Sequence, residues 1–356
     1  MRKYLVAILC LLGFNLSYAL QTLLYVDYHA RADIAENVEL FKQLQPYTNK
    51  IDIFAPSVYV MDKHGKISHQ LAQAFIDWAH QTHILLMPLV INQALNQESI
   101  HAVLHSSKAE QTAIEELTAL CQKNKYYGIQ LDIEHISYKD RDAYTKFVQM
   151  AAQAFHENHF QLSVAVVPPV DYEQQPAPYQ FWMYQNWVGG YDYAKLAQAA
   201  DFISVMTYDH HTGLTAPGAI APADWIKQTI QSLLKDIPAD KFSLGIPAYS
   251  GHWYTNMRNG MPVISETPLS YRQVEDMVAQ HKIKLSWSDT AKVHYAIFIN
   301  HSLNEYVFIE DAASFKAKYD LARKYHLRGI SIWQFSFSDP NMWKVIPLRA
   351  AQRSPD

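Results

Sequence analysis

The 356-residue sequence is poor in glycine, with 11 residues, and in cysteine, with two. So little glycine leaves scant material for a phosphate cradle. Neither GxGxxG nor GxxxxGK followed by Ser or Thr occurs. An excess of basic charge is also missing. Thirty Lys and Arg stand against 34 Asp and Glu, a net charge of −4, so nothing provides the basic face that a nucleic-acid partner demands. No internal repeat, low-complexity tract or flexible linker interrupts the chain. What is present is 49% hydrophobic and 18% charged residues, the composition of a packed globular core.

The first nineteen residues read as a secretory leader. Arg2 and Lys3 form a positive start, Leu5 to Phe14 an apolar run, and Ser17-Tyr18-Ala19 a small-residue cleavage site. The expected cut is after Ala19, which sends the protein to the periplasm or the exterior without a stable membrane anchor. An uncleaved anchor is the alternative, but the apolar run is shorter than the ~20 residues of a span. A lipoprotein reading is weakened by Leu9, which is not small, before Cys10. Cleavage would leave 28 basic and 34 acidic side chains, a net charge of −6, and Cys121 alone. A disulfide within the mature chain is then excluded. Cys121, inside a helical pattern, reads as a buried small hydrophobe.

Beyond the leader, apolar runs alternate with amphipathic ones. Strands are expected at Leu23 to Tyr28, Ile51 to Phe54 running on to Val60, Ile84 to Ile91, Ile129 to Glu134, Phe160 to Val167, Phe202 to Tyr208, Phe242 to Tyr249 and Ile330 to Phe335. Helical spacing fills most gaps, as at Leu71 to Thr82, Ala109 to Cys121, Ala143 to His156, Pro222 to Leu234 and Ala312 to Tyr325. Strands alternating with helices imply parallel pairing. Eight such units fit an α/β (β/α)8 TIM barrel spanning 20–350, with a doubly wound open sheet as the alternative. The segment from Trp253 to Ile309 holds a helical pattern at Tyr271 to His281 and strand-like pieces after it. It is expected to form a small α+β insertion between strands seven and eight.

The fourth strand carries the chemistry. Along Gly128-Ile129-Gln130-Leu131-Asp132-Ile133-Glu134, alternation sends the three apolar side chains to the helices and Gln130, Asp132 and Glu134 into the barrel. By the same alternation Tyr127 points to the helix side. A barrel interior is normally apolar, and polar groups there need partners. The bland alternative is a half-exposed strand with a wet face, which a helix-covered parallel sheet disfavours. Two carboxylates two residues apart should raise one pKa, as a general acid requires. Glu134, nearer the mouth, suits proton donation, and Asp132 a supporting role.

This strand resembles the DGxDxDxE signature of glycoside hydrolase family 18, with Gly128, Asp132 and Glu134 in register. Met206-Thr207-Tyr208-Asp209, Gly245-Ile246-Pro247-Ala248-Tyr249 and the strand end at Trp333 resemble the family's sixth, seventh and eighth strands. Tyr191-Asp192-Tyr193 and Glu310-Asp311-Ala312-Ala313-Ser314-Phe315-Lys316 are similar to the branch of peptidoglycan N-acetylglucosaminidases of spore germination. The resemblance implies substrate-assisted, retaining cleavage of β-1,4-linked N-acetylglucosamine glycans, of peptidoglycan or chitin type. It implies Glu134 as general acid and base, Asp132 on the acetamido N–H and Tyr208 on its carbonyl. It further implies Gln130, Asp209, Tyr249 and Trp333 in substrate binding. Tyr127 and Gln130 depart from the signature, each standing where the family has aspartate. Gln130 is expected to hydrogen-bond Asp132.

His210 and His211 are adjacent among seventeen histidines. No HExxH motif or paired ligand spacing is recognised, so no metal and no cofactor is assigned. The aromatic residues between Tyr172 and Trp187 suit either a sugar-stacking rim or the packing of a long loop. The protein is expected to act as a monomer on a glycan. The rival readings are a lectin-like, inactive family member and a barrel hydrolase that needs no 2-acetamido group.

Overall fold

The computed structural model describes residues 20–27, 34–169 and 178–349. The leader, Tyr28 and Tyr172 lie outside the described residues. Eight parallel strands close into a barrel: β1 (Gln21–Asp27), β2 (Ile53–Met61), β3 (Leu89–Asn92), β4 (Gly128–Asp132), β5 (Gln161–Val166), β6 (Phe202–Val205), β7 (Phe242–Pro247) and, after an insertion, an eighth at Gly329–Trp333. Closure is set by β1, which pairs with both β2 and the Gly329–Trp333 strand. The expected barrel is therefore the fold, and the open sheet is not.

Helices cover the outside of the barrel, except the one at Tyr271–His281, which packs within the insertion. The series runs α1 (Ile34–Leu44), α2 (Gln73–Gln81), α3 (Gln97–Leu104), α4 (Ser107–Asn124), α5 (Arg141–Glu157), α6 (Pro178–Met183), α7 (Tyr193–Ala199), α8 (Ala223–Leu233), α9 (Tyr271–His281) and α10 (Ala312–Lys324). Outward-facing Ile129, Leu131 and Ile133 of the β4 segment join the main core with Phe147, Val148 and Ala151 of α5. Cys121 is buried in α4, as expected, and burial pushes its thiol pKa up, away from reactivity.

The insertion starts earlier than Trp253. A hairpin of β8 (Ser250–Arg258) and β9 (Met261–Leu269) opens it. After α9, the strands β10 (Ser286–Ser288), β11 (Val293–Asn300) and β12 (Leu303–Ile309) complete a five-stranded antiparallel sheet. Its own small core includes Leu269, Val274, Ala296, Val307 and Ile309. The Gly329–Trp333 strand, β13, then returns to the barrel.

Inside the barrel, side chains form layers. The lower one is apolar, with Leu23, Ile53, Ala55, Met87, Leu89 and Phe202. Tyr127 packs against this layer instead of pointing to the helices. The alternation that fixes Gln130 and Asp132 fails at Tyr127, because it precedes β4. The Arg328 guanidinium lies beside Tyr127 and 4.6 Å over the Phe202 ring. Tyr127 belongs to the end of the barrel opposite Glu134. Gly128 next to it has a steric reason: a Cβ there would lie 1.9 Å from the carbonyl oxygen of Gln161.

The next layer is polar and closed on itself. The Gln130 carboxamide accepts from the Tyr25 hydroxyl at 2.6 Å and donates to Ser163 at 2.8 Å and Ser204 at 2.9 Å. Ser204 continues to Ser331 at 2.9 Å, and Ser331 to Ser243 at 2.7 Å. Six strands thus contribute one hydrogen-bonded network that satisfies the buried amide.

Candidate active site

Above that network the barrel opens at the C-terminal ends of its strands. Asp132 ends β4, and Glu134 lies two residues beyond it, so the site begins where the strand stops. The turn is held from several sides. Asn92, at the end of β3, accepts from the Glu134 amide at 3.0 Å and donates to the Glu134 carbonyl at 3.1 Å. The Tyr191 hydroxyl donates to the carbonyl of Ile133 at 2.9 Å. His135 then takes a left-handed backbone (φ 57) and stacks on Trp187 with ring centres 4.7 Å apart.

Four carboxyl groups meet here. Asp132 is buried, and its Oδ1 has no hydrogen-bond partner within the protein. Burial pushes its pKa up to about 7. Glu134 is raised well above the usual carboxylate range, first by burial and then by the charges of Asp132 and Asp209. The like-charge argument from sequence gave the right direction, but desolvation is the larger cause. Asp209 also sits in the left-handed region (φ 58) and accepts a short hydrogen bond from the Tyr249 hydroxyl. Burial raises its pKa and this bond opposes the rise. Glu266, from β9 of the insertion, is the fourth. Burial and the Asp209 charge push it up to about 7, and its Oε1 is buried without a partner.

Tyr208 packs edge-on against Tyr249, with centres 6.4 Å apart. Gly245 makes room for it, since a Cβ there would come within 3.0 Å of the Tyr208 ring and 2.4 Å of the Val205 carbonyl. Trp333 packs with Tyr249 and Tyr208 on one side and lies 5.3 Å from the Tyr25 ring on the other. A cavity of about 210 Å³ opens over Glu134, Tyr208 and Asp209. Tyr179, Trp182 and Trp187 form part of its wall, and Trp182 is 43% exposed. The aromatic segment is therefore a rim at these positions. Tyr184 has a packing role, its hydroxyl accepting from Arg141 at 2.9 Å.

Of the residues expected from sequence, Glu134, Asp132, Tyr208, Asp209, Tyr249 and Trp333 gather at this mouth. Gln130 does not reach it. It is 0% exposed and its hydrogen bonds go to Tyr25, Ser163 and Ser204, not to Asp132. It supports the layer beneath the site and cannot touch a glycan. Asn92 and Glu266 escaped sequence reading, because an isolated Asn at a strand end and a Glu in a hairpin carry no pattern. Tyr191-Asp192-Tyr193 serves structure: Asp192 caps α7, and the Tyr193 hydroxyl donates to the Val167 carbonyl at 2.7 Å.

His101 and His105 are four apart, and both contact Asp140. Among the described residues these three form the group with metal-ligand geometry, away from His210 and His211. His210 instead packs against Trp225 in a tilted arrangement, with ring centres 4.6 Å apart.

A profile described as glycosyl hydrolases family 18 matches residues 21–337. Among curated relatives, the uncharacterized glycosylase YvbX of Bacillus subtilis (strain 168) is 26% identical over 312 residues, which are 86% of this chain and 87% of that one. The cortical fragment-lytic enzyme of the same organism is 25% identical over 269 residues, 74% of this chain and 59% of the relative. Among solved structures, the spore cortex-lytic enzyme SleL of Bacillus megaterium QM B1551 superposes with a TM-score of 0.80 at 21% identity, covering 92% of this chain and 73% of that one. A chitinase from Chromobacterium violaceum ATCC 12472 gives 0.78 at 23% identity, covering 92% and 98%.

Proposed function

Because the chain belongs to family 18 of the glycosyl hydrolases, and is a glycosidase, we propose that it cleaves β-1,4-linked N-acetylglucosamine glycans with Glu134 as the proton donor. The observation that carries this reading is the buried carboxyl cluster: burial and the neighbouring acids raise the Glu134 pKa well above the usual carboxylate range at a cavity mouth, beside an Asp132 oxygen that lacks a partner. A neutral carboxylic acid facing an open cavity is what leaving-group protonation needs. The unpaired Asp132 oxygen suits an acetamido N–H, which would turn the substrate's own carbonyl towards the anomeric carbon. Glu134, once deprotonated, would then activate water. Tyr208 and Asp209 would hold the same sugar, with Trp333 beneath the ring and Trp182 at the rim.

Peptidoglycan is the proposed substrate. The names of the cortical fragment-lytic relative and of the cortex-lytic neighbour support that choice over chitin. The protein is further proposed to be exported with residues 1–19 removed, and N-terminal sequencing of the mature protein checks this. No described helix is long and apolar enough to cross a membrane.

Digestion of a panel of peptidoglycan, chito-oligosaccharides, N-glycan cores and a glucose-only oligomer, read by mass spectrometry, tests the function. The expected result is cleavage of muropeptide strands and none of the glucose oligomer. Equal cleavage of the glucose oligomer would refute a role for the acetamido group. Tight binding with no released reducing ends would favour the lectin-like reading.

A further inference from the structure

We propose that His101, His105 and Asp140 form a binding site for one divalent transition-metal ion of the zinc class, separate from the carboxyl cluster. His101 lies in the last turn of α3 and His105 caps its C-terminus. The His105 amide still donates to the His101 carbonyl at 3.1 Å, so the helical four-residue spacing places both rings on one face. The ring centres are 4.3 Å apart. Asp140 comes from the turn between β4 and α5, well away in sequence.

Two observations point to a cation. Asp140 occupies the N-cap position of α5, where an aspartate side chain normally accepts from its own helix, yet it makes no cap hydrogen bond. Its carboxylate turns instead to the histidines, at 2.9 Å from His101 Nδ1 and 2.8 Å from His105 Nε2. The aspartate is also buried, while both rings are exposed. A buried carboxylate needs opposite charge, and the ring nitrogens flank it on the solvent side.

The geometry fits metal coordination. One ligand atom from each residue lies within 4.8 Å of the others. Tetrahedral zinc, with bonds of about 2.0–2.1 Å, needs ligand atoms roughly 3.3 Å apart. Exposed imidazoles rotate to meet that spacing, and solvent can supply the fourth ligand. Two imidazoles with one carboxylate favour zinc, copper(II) or nickel(II) over magnesium or calcium. The carbonyl end of α3 adds negative potential at the same place. A bound ion would tie α3, which follows β3, to the segment running on from Glu134, bracing the two loops that Asn92 already joins.

The test uses tag-free, chelator-stripped protein titrated with ZnCl2 by calorimetry. Cobalt(II) uptake followed by visible absorption is the second readout. The expected result is one zinc per chain and tetrahedral cobalt bands. His101→Gln/His105→Gln and Asp140→Asn should each weaken zinc binding by at least about tenfold and abolish the cobalt bands. Circular dichroism verifies folding, and the histidine pair, being exposed, keeps the test open if Asp140→Asn misfolds. No stoichiometric zinc uptake by the wild type, or unchanged affinity in the folded histidine variant, would overturn the proposal and leave a metal-free His–Asp clasp.

Discussion

Asp132 and Glu134 share a site but differ in what surrounds their protons. Asp132 is raised by burial alone, whereas Glu134 also feels Asp132 and Asp209. A carboxyl raised in the folded state binds its proton more tightly there than in the unfolded chain. Its contribution to stability is complete below the unfolded pKa, near 3.8, and is lost as pH rises towards about 7. Asp132→Asn removes that loss. Its unfolding free energy should match the wild type near pH 4 and exceed it at pH 7, by roughly 1–3 kcal/mol, with a correspondingly higher melting temperature, while activity falls. Thermal melts across that range check it, and a variant less stable than wild type at pH 7 would contradict the assignment. Gln130→Asp makes the opposite change. It removes the amide N–H2 that donates to Ser163 and Ser204 and buries another acid beneath Asp132. A loss of about 1–3 kcal/mol is expected in denaturant titrations. An altered acidic limb of kcat/KM is expected with it.

At the scale of elements, β4 was the most legible part of the sequence, because its period-two pattern separates Ile129 and Leu131 from Gln130 and Asp132. The same rule failed for Tyr127, which precedes the strand, and it placed Glu134 on a strand that ends at Asp132. Asn92 and Glu266 reach the site from other elements, so only the fold brings them there. The His101 and His105 spacing was present in the sequence, but its meaning depends on Asp140 from another loop. The aromatic segment was ambiguous because stacking rims and loop cores use the same residues. The structure separates them by exposure: Trp182 faces outwards, while Tyr184 bonds Arg141. Trp182→Ala should therefore raise KM about 5- to 30-fold, the equivalent of about 1–2 kcal/mol of apolar contact. kcat should be little changed. Steady-state kinetics on a soluble oligosaccharide decides this, and an unchanged KM would return Trp182 to a packing role.

At the scale of the whole molecule, a buried ion pair lies where the chain returns from the insertion to the barrel. Lys318 of α10 is 0% exposed and donates to Glu310, just after β12, at 2.5 Å, with Ser314 donating to the same carboxylate oxygen at 2.7 Å. The segment that resembled the spore-germination branch is thus the joint that seats the insertion beside the mouth, where Glu266 contributes to the site. Removing one partner of such a pair strands a buried charge, so Lys318→Ala should cost about 3–5 kcal/mol, read as a lower denaturant midpoint. The joint and the barrel together place Glu134, its pKa raised by burial, beside an open cavity. The most direct test is the release of reducing ends from chito-oligosaccharides and peptidoglycan strands by Glu134→Gln and the wild type, with binding measured alongside. A fall in kcat of about 10²–10⁴-fold with binding retained is the predicted result. A Glu134→Gln variant that hydrolyses as fast as the wild type would contradict the account.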